Sequence, residues 1–430
     1  MTTIIILTIS LIACNYSSSE NMTKESQKYL SAVEEMVDYY EENPYIFYNC
    51  NEKEWNSSLN KLEKDIKNNK VGENDIFYRM QELSATLNNG HTYCRKISDD
   101  EYLPIGGQYF EDGFYIVAAD SKYRQLLGKK LMEINGVKFS DVEKKYSKII
   151  SAENNQWIKS KISAEGFSKS SLEYLDLWRD NNTITVKNSK GKNEKVDIDV
   201  VSQDDMNKIM TDTNNYFSNK EFEYNSQSDG GYPQYWYKLD KENRILYFQY
   251  NTCLDKNDAN IGASYEYCNQ NPDFRDFQDM FTKFANANRD SYDKIVVDVS
   301  INEGGVREHL DNLINSNMSL FNSKKVYVVM AKCTFSAGVV AVDALVCKCN
   351  AVMVGEETGG SVEMFGVVEK QSSILPIIYA SGCRKIDILN KANRNSTSNL
   401  QGAIPDIAVE YSINDVANGI NPCYQAIINN

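Results

Sequence analysis

Lys325-Val326-Tyr327-Val328-Val329-Met330-Ala331 runs without a break into Lys332-Cys333-Thr334-Phe335-Ser336-Ala337-Gly338-Val339-Val340-Ala341. The first seven residues form a short apolar run rich in β-branched side chains, which reads as a buried strand. From Ser336 onward small apolar residues predominate, which suits a packed helix. The same strand signal recurs at Arg244 to Tyr250, Lys294 to Val299 and Ala351 to Gly355, with room for helices between. Residues 232–430 therefore read as alternating strands and helices, an α/β layer around a largely buried sheet.

Ser336 falls where that helix begins, and free N–H groups at a helix start favour negative charge. A serine so placed can act as a nucleophile whose developing oxyanion is held by backbone donors. It can equally be an ordinary N-cap. A second loop, Asp298-Val299-Ser300-Ile301-Asn302-Glu303-Gly304-Gly305, leaves another strand and ends in paired glycines. Such a pair lets backbone amides come close to a substrate, and it also serves as a plain strand-to-helix turn. The third segment is Asn89-Gly90-His91-Thr92. The chain has only two histidines, His91 and His309, so an imidazole mechanism has two places to live. His309 shares a helical face with Val306 and Leu310 and reads as structural.

Upstream, Tyr29, Ala32, Val33, Met36, Val37 and Tyr40 follow helical spacing, as do Trp55, Leu59, Leu62 and Ile66, and then Ile76, Phe77, Met80, Leu83 and Leu87. Residues 20–99 are thus a helical region, its last helix predicted to stop at Asn88-Asn89-Gly90 with glycine as the left-handed cap. From about residue 100 the period shortens, and Gly113 to Ala118, Thr183 to Val186 and Val196 to Val200 read as strands of a β-rich module over 100–201. The polar, Asn- and Ser-rich stretch 202–231 reads as a linker.

The 430 residues leave room for about three domains. Forty-six basic against 60 acidic residues give a net charge of −14, and no Lys/Arg cluster supplies the basic stripe of a nucleic-acid binder. Met1 to Ala13 is an uncharged, mostly apolar run, too short to span a bilayer and similar to the core of an export signal, so residues 1–14 are expected to be removed. Leu11-Ile12-Ala13-Cys14 also resembles a lipidation site that would anchor the chain through Cys14. Either reading places the protein outside the cytoplasm, where its ten cysteines could pair, Cys253 with Cys268 first. Cys347-Lys348-Cys349 has poor spacing for zinc, and no metal site is expected.

In this order, the motifs resemble those of the tail-specific or C-terminal-processing serine peptidases, a superfamily with tricorn-like members that use a histidine base. Gly90-His91-Thr92 is similar to the end of the family's amino-terminal region. Gly128 to Val142, containing Ile134-Asn135-Gly136, resembles its PDZ-like module. Asp298 to Gly305 matches the family's glycine-pair loop, Thr334 to Gly338 its nucleophile segment, Val354 to Gly360 the loop ending in Thr-Gly-Gly, and Gly402 to Ile407 the segment with Pro-Asp-Ile.

The resemblance implies a crotonase-like α/β protease core, an N-terminal helical region and a PDZ-like module, with cleavage of peptide or unfolded protein substrates and no cofactor. Ser336 maps onto the nucleophile, and the N–H groups of Gly305 and Ala337 map onto the oxyanion hole. One branch of the superfamily uses a lysine at the level of residue 361. Here that residue is Ser361, and no lysine occurs from 350 through 369, so His91 takes the place of the base. Ser300 stands where the family usually has arginine, and Val339 where an acid is common. The acid expected before Pro405-Asp406 is also missing, the nearest polar residues being Asn399 and Gln401. Glu357, Glu356 and Asp387 are the candidates left to orient the imidazole. An alternative is a peptide-binding scaffold that keeps the fold with little or no catalysis.

Overall fold

The structure, a computed structural model, describes residues 22–188, 190–212, 217, 228–258, 271–386 and 391–430. Three helices open it, Lys24–Glu41, Glu52–Lys67 and Glu73–Ala85, the first two capped by the Thr23 and Asn51 side chains. Their apolar stripes, including Tyr29, Met36, Tyr40, Trp55, Ile66 and Met80, are buried.

The third helix ends at Ala85, short of the predicted stop, and the left-handed residue is Asn88 at φ 49° rather than Gly90. Asparagine tolerates that conformation because its short side chain bonds locally. Gly90 is small for another reason. A Cβ there would lie 2.9 Å from both Phe335 Cζ and Trp157 Nε1, and 3.0 Å from Glu153 Oε2.

An antiparallel sheet follows, built from Ile105–Phe110, Gly113–Ala119, Lys130–Ile134, Thr183–Lys187 and Asn193–Asp197. Asn135 and Gly136, with φ of 52° and 79°, turn the chain from the third strand into Val137–Lys138. Between the third and fourth main strands lie the helices Phe139–Tyr146, Asn155–Glu165 and Lys169–Tyr174. The stretch read as a linker opens with a helix, Gln203–Thr211, capped by Ser202. Its Met206 and Ile209, one turn apart, pack on Ala118. A polar average over 202–231 had concealed that short apolar stripe.

The carboxyl-terminal part is a seven-stranded sheet in the order Gly230–Tyr232, Tyr235–Asp240, Ile245–Tyr250, Lys294–Asp298, Lys325–Met330, Val352–Gly355 and Ile407–Ala408. The first two pairings are antiparallel and the other four parallel. Register aligns Gln249 with Asp298, Asp298 with Val329, and Met330 with Gly355. The loops 299–307, 331–336 and 356–363 therefore leave the sheet along one edge, at the carboxyl ends of parallel strands, where open α/β sheets place their ligands. The helix Ala337–Cys349 packs behind that edge with Val339, Val342, Leu345 and Val346 buried.

A separate three-stranded sheet sets Ile377–Ile386 between Tyr93–Lys96 and Met364–Gln371. It carries the segment beginning at His91 across to the main sheet. Among the described residues no helix is long and apolar enough to cross a membrane. Cys253 is buried and unbridged, and Cys268 lies outside the described residues.

Candidate active site

Ser336 joins the strand Lys325–Met330 to the helix Ala337–Cys349 with φ 51° and ψ −127°. For a side-chain-bearing residue this backbone is strained, at a cost of order 1–3 kcal/mol, and such turns expose a hydroxyl at the head of a helix. The turn is held from beneath. Thr334 Oγ1 donates to Val299 O at 2.8 Å and accepts from Ala331 N at 3.0 Å, while Phe335 N donates to Asn302 O at 3.0 Å. The Ser336 side chain makes no capping bond. Its Oγ is instead 3.0 Å from His91 Nε2, which disposes of the N-cap alternative.

His91 reaches this position because its own turn is fixed twice. Its backbone N–H donates to Asn89 Oδ1 at 2.9 Å, and Thr92 Oγ1 accepts from Gly382 N at 3.0 Å, just before Tyr93 enters the three-stranded sheet. The imidazole stacks on Phe335 with centroids 4.6 Å apart and planes 24° apart. Trp157 stacks on Phe335 at 3.8 Å and 9°. Both rings cannot occupy one face, so Phe335 is the middle of a three-ring pile. Burial pushes the His91 pKa down to about 4, because a desolvated imidazole disfavours its charged form. At neutral pH the ring is uncharged. With Ser336 donating to Nε2, its proton resides on Nδ1.

Gly304 and Gly305 have φ of 111° and 129°. A Cβ on Gly304 would lie 2.7 Å from Ser336 Cβ and 2.9 Å from Ala337 N, so only glycine lets this loop lie against the serine turn. Gly304 N–H is used internally, donating to Asn302 Oδ1 at 2.9 Å. Ala337 is the first residue of its helix, where the N–H has no intrahelical acceptor.

Two of the three candidate orienting acids are engaged elsewhere. Glu356 forms a buried pair with Lys332, both carboxylate oxygens 2.6 Å from Nζ. Glu357 Oε1 accepts from Gly402 N at 3.1 Å, and its Oε2 faces Gln156 Nε2 at 3.5 Å. Asp387 lies outside the described residues. His91 Nδ1 is buried and has no hydrogen-bond partner among the described residues. Glu356 and Glu357 continue the strand Val352–Gly355, and their side chains are spent on Lys332 and the Gly402 turn before either can approach the imidazole.

Two residues of this neighbourhood carried no signal in the sequence. Trp157 lies on a helix whose pattern is only weakly amphipathic, and Glu153 sits in the irregular segment before that helix, where no motif marks it. His309 is bonded through Nε2 to Asp258 Oδ2 at 2.8 Å, with Asp255 Oδ2 at 3.9 Å. Among the described residues these three are the group whose ligand atoms, all within 4.8 Å, have metal-like spacing. In the structure that spacing joins the loop after Tyr250 to the helix Glu308–Ser316.

No family profile matches the chain, and no curated protein matches it in sequence. Its fold does have counterparts among solved structures. Mature CPAF complexed with lactacystin superposes with a TM-score of 0.65 at 12% identity, covering 94% of this chain and 97% of that one. The chain has the CPAF fold. A serine-to-alanine mutant of CPAF gives 0.64 at 13% identity, and mature CPAF 0.59 at 12%, each covering 94% of this chain and 96% of the other. At such identities the likeness is one of fold, and it extends through nearly all of both chains.

Proposed function

We propose that the protein is a serine peptidase resembling the tail-specific proteases, with Ser336 as nucleophile, His91 as general base and the N–H groups of Gly305 and Ala337 as oxyanion donors. The observation that carries this reading is the 3.0 Å contact between His91 Nε2 and Ser336 Oγ, made across 245 residues of sequence at a strained turn. Fold likeness to CPAF along most of the chain adds support, as does the family order of the motifs. Residues 232–430 take the role of a crotonase-like core and residues 100–201 that of a PDZ-like module able to bind a peptide. Export, or anchoring through Cys14, belongs to the same reading and rests on the amino-terminal sequence.

In this mechanism Ser336 Oγ attacks the carbonyl carbon of the scissile peptide, and its proton passes to His91 Nε2. The carbonyl oxygen gains the negative charge and faces the two N–H donors. When the C–N bond breaks, the Nε2 proton leaves with the amine. Water, deprotonated by the same nitrogen, then releases the acyl group and restores Ser336. A neutral imidazole is the form this cycle needs at its start.

The test is a fluorophosphonate probe together with a mixture of unfolded polypeptides. Wild type should label and cut, and Ser336→Ala should do neither. Labelling that survives Ser336→Ala overturns the assignment. The unpartnered Nδ1 of His91 favours a second reading, a peptide-binding scaffold of the same fold. That reading expects peptide binding without turnover, unchanged in His91→Ala.

A further inference from the structure

Removing a proton from serine leaves an imidazolium in a buried site, and something must accept from its Nδ1–H for that charge to be tolerated. His91 Nδ1 is one of two orphaned polar atoms beside Gly90. The other is Glu153 Oε2, also buried and without a partner among the described residues. Glu153 Oε2 lies 3.0 Å from the point where a Cβ on Gly90 would stand, and that point is 2.9 Å from the Phe335 ring against which His91 stacks. One orphan is a donor when Nε2 accepts from Ser336, and the other is an acceptor. Their chemistry is complementary.

The rest of Glu153's surroundings fits this role better than a structural one. The residue is 8% exposed, and no salt bridge to it is formed among the described residues. Burial pushes its carboxyl up to about 7, opposed by the N–H groups of Glu153 itself and of Gly90, the residue next to the base. A buried carboxyl with a free oxygen weakens a fold, and ionisable groups kept in that condition concentrate at functional sites. Its neighbour Asn154 caps the helix carrying Trp157 and donates to Gly359 O at 3.1 Å, so the backbone bearing the carboxyl is tied to the same loop cluster as the serine.

We propose that Glu153 is the positioning acid of this site, accepting from Nδ1–H of His91 directly after a small turn of the imidazole, or through one water, once substrate is bound. It takes the place of the carboxylate missing before Pro405-Asp406, from a different part of the chain. Catalytic hydrogen bonds are often open without substrate and close in the complex. The ring pile through Phe335 and Trp157 fixes the imidazole plane, and Glu153 supplies the polar partner. No bond to carbon is made or broken by Glu153; the serine proton moves to Nε2 and the Nδ1 proton is shared with the carboxylate.

This inference rests on the peptidase reading, and the experiment separates the two. Full-length Glu153→Gln is compared with wild type and Ser336→Ala for peptide hydrolysis and thermal unfolding at pH 8. The expected result is a fall in kcat of roughly 100-fold or more with KM within about twofold, and a Tm equal to or above wild type. A structural role would instead lower Tm and leave kcat intact. If wild type cuts, Ser336→Ala does not, and Glu153→Gln keeps wild-type kcat, the role of Glu153 is overturned while the peptidase reading stands. If wild type does not cut, both fail. A readout without turnover uses the two histidines: with 15N-labelled imidazoles in a Ser336→Ala background saturated with an unfolded polypeptide that wild type cuts, Glu153→Gln should shift the His91 signals and leave those of His309 in place. Unchanged His91 signals also overturn it.

Discussion

His91 and Glu153 are displaced in opposite senses by the same cause. Burial lowers the imidazole to about 4 and raises the carboxyl to about 7, so each prefers its neutral form. Unfolded, they would titrate near 6.5 and 4.3. As pH falls from 7 toward 4.5, the native state takes up the Glu153 proton before the unfolded chain does, which stabilises the fold. Over much of the same range the unfolded chain takes up the His91 proton and the native state does not, which destabilises it. The two slopes oppose, each approaching about 1.4 kcal/mol per pH unit where only one state is protonated. Each single variant should therefore unmask one of them. Relative to wild type, Glu153→Gln should lose stability as pH drops from 6.5 to 4.5, and His91→Gln should gain it over the interval from 7 to 4.5. Urea unfolding at pH 5, 6 and 7 measures both. Parallel pH curves for the three proteins would mean that neither group is buried in the unbound state.

Elements were legible in proportion to how far their signal is local. The strands Lys294–Asp298, Lys325–Met330 and Val352–Gly355 appear within a residue of their apolar runs, because a parallel sheet buried on both faces demands continuous Val and Ile. Ser336 and His91 were legible through their motifs. Trp157 and Glu153 were not, because the helix Asn155–Glu165 and the irregular residues just before it bring them in from the β-rich segment, and no sequence spacing encodes that approach. The helix Asn155–Glu165 serves both halves of the site. Trp157 backs Phe335, and Lys161 Nζ lies 4.4 Å over the Trp157 ring and 3.6 Å from Glu303 of the glycine-pair loop. Trp157→Ala removes one side of the ring pile and should cost about 3–5 kcal/mol as a large-to-small core change. It should also lower kcat more than it raises KM, since the imidazole loses its fixed plane. Trp157→Phe keeps a stacked ring and should recover most of kcat. Steady-state kinetics on the pair decide the matter: equal kcat in the Ala and Phe variants would remove the stack from the account.

At the scale of the molecule the site exists only where three segments meet. One hydrophobic cluster runs from Tyr29 through Ile198 and takes in Phe335, Ile377 and Tyr379, so the amino-terminal helices and the β-rich segment share a core that reaches the serine turn itself. A second cluster fills one face of the main sheet, and a third, with Tyr424 and Ile427 of the helix Pro422–Ile428, fills the other. The tie between the first cluster and the main sheet next to Ser336 is polar. Lys332, 8% exposed, pairs with Glu356 at 2.6 Å on the main-sheet side and reaches Tyr109 O of the β-rich sheet at 3.4 Å. Removing one member of a buried pair leaves the other charge without compensation, typically costing 3–5 kcal/mol, whereas replacing both by apolar groups is often nearly neutral. Lys332→Met should therefore destabilise by about 3 kcal/mol and reduce activity, because the loop 331–336 it anchors carries Ser336, the proposed nucleophile. Lys332→Met with Glu356→Leu should regain most of the stability. Activity should return less completely, since the contact with Tyr109 that holds the serine turn against the β-rich segment stays absent. Denaturation and hydrolysis on the two single variants and the double variant separate these effects. Full recovery of both in the double variant would show that Lys332 does no more than neutralise Glu356.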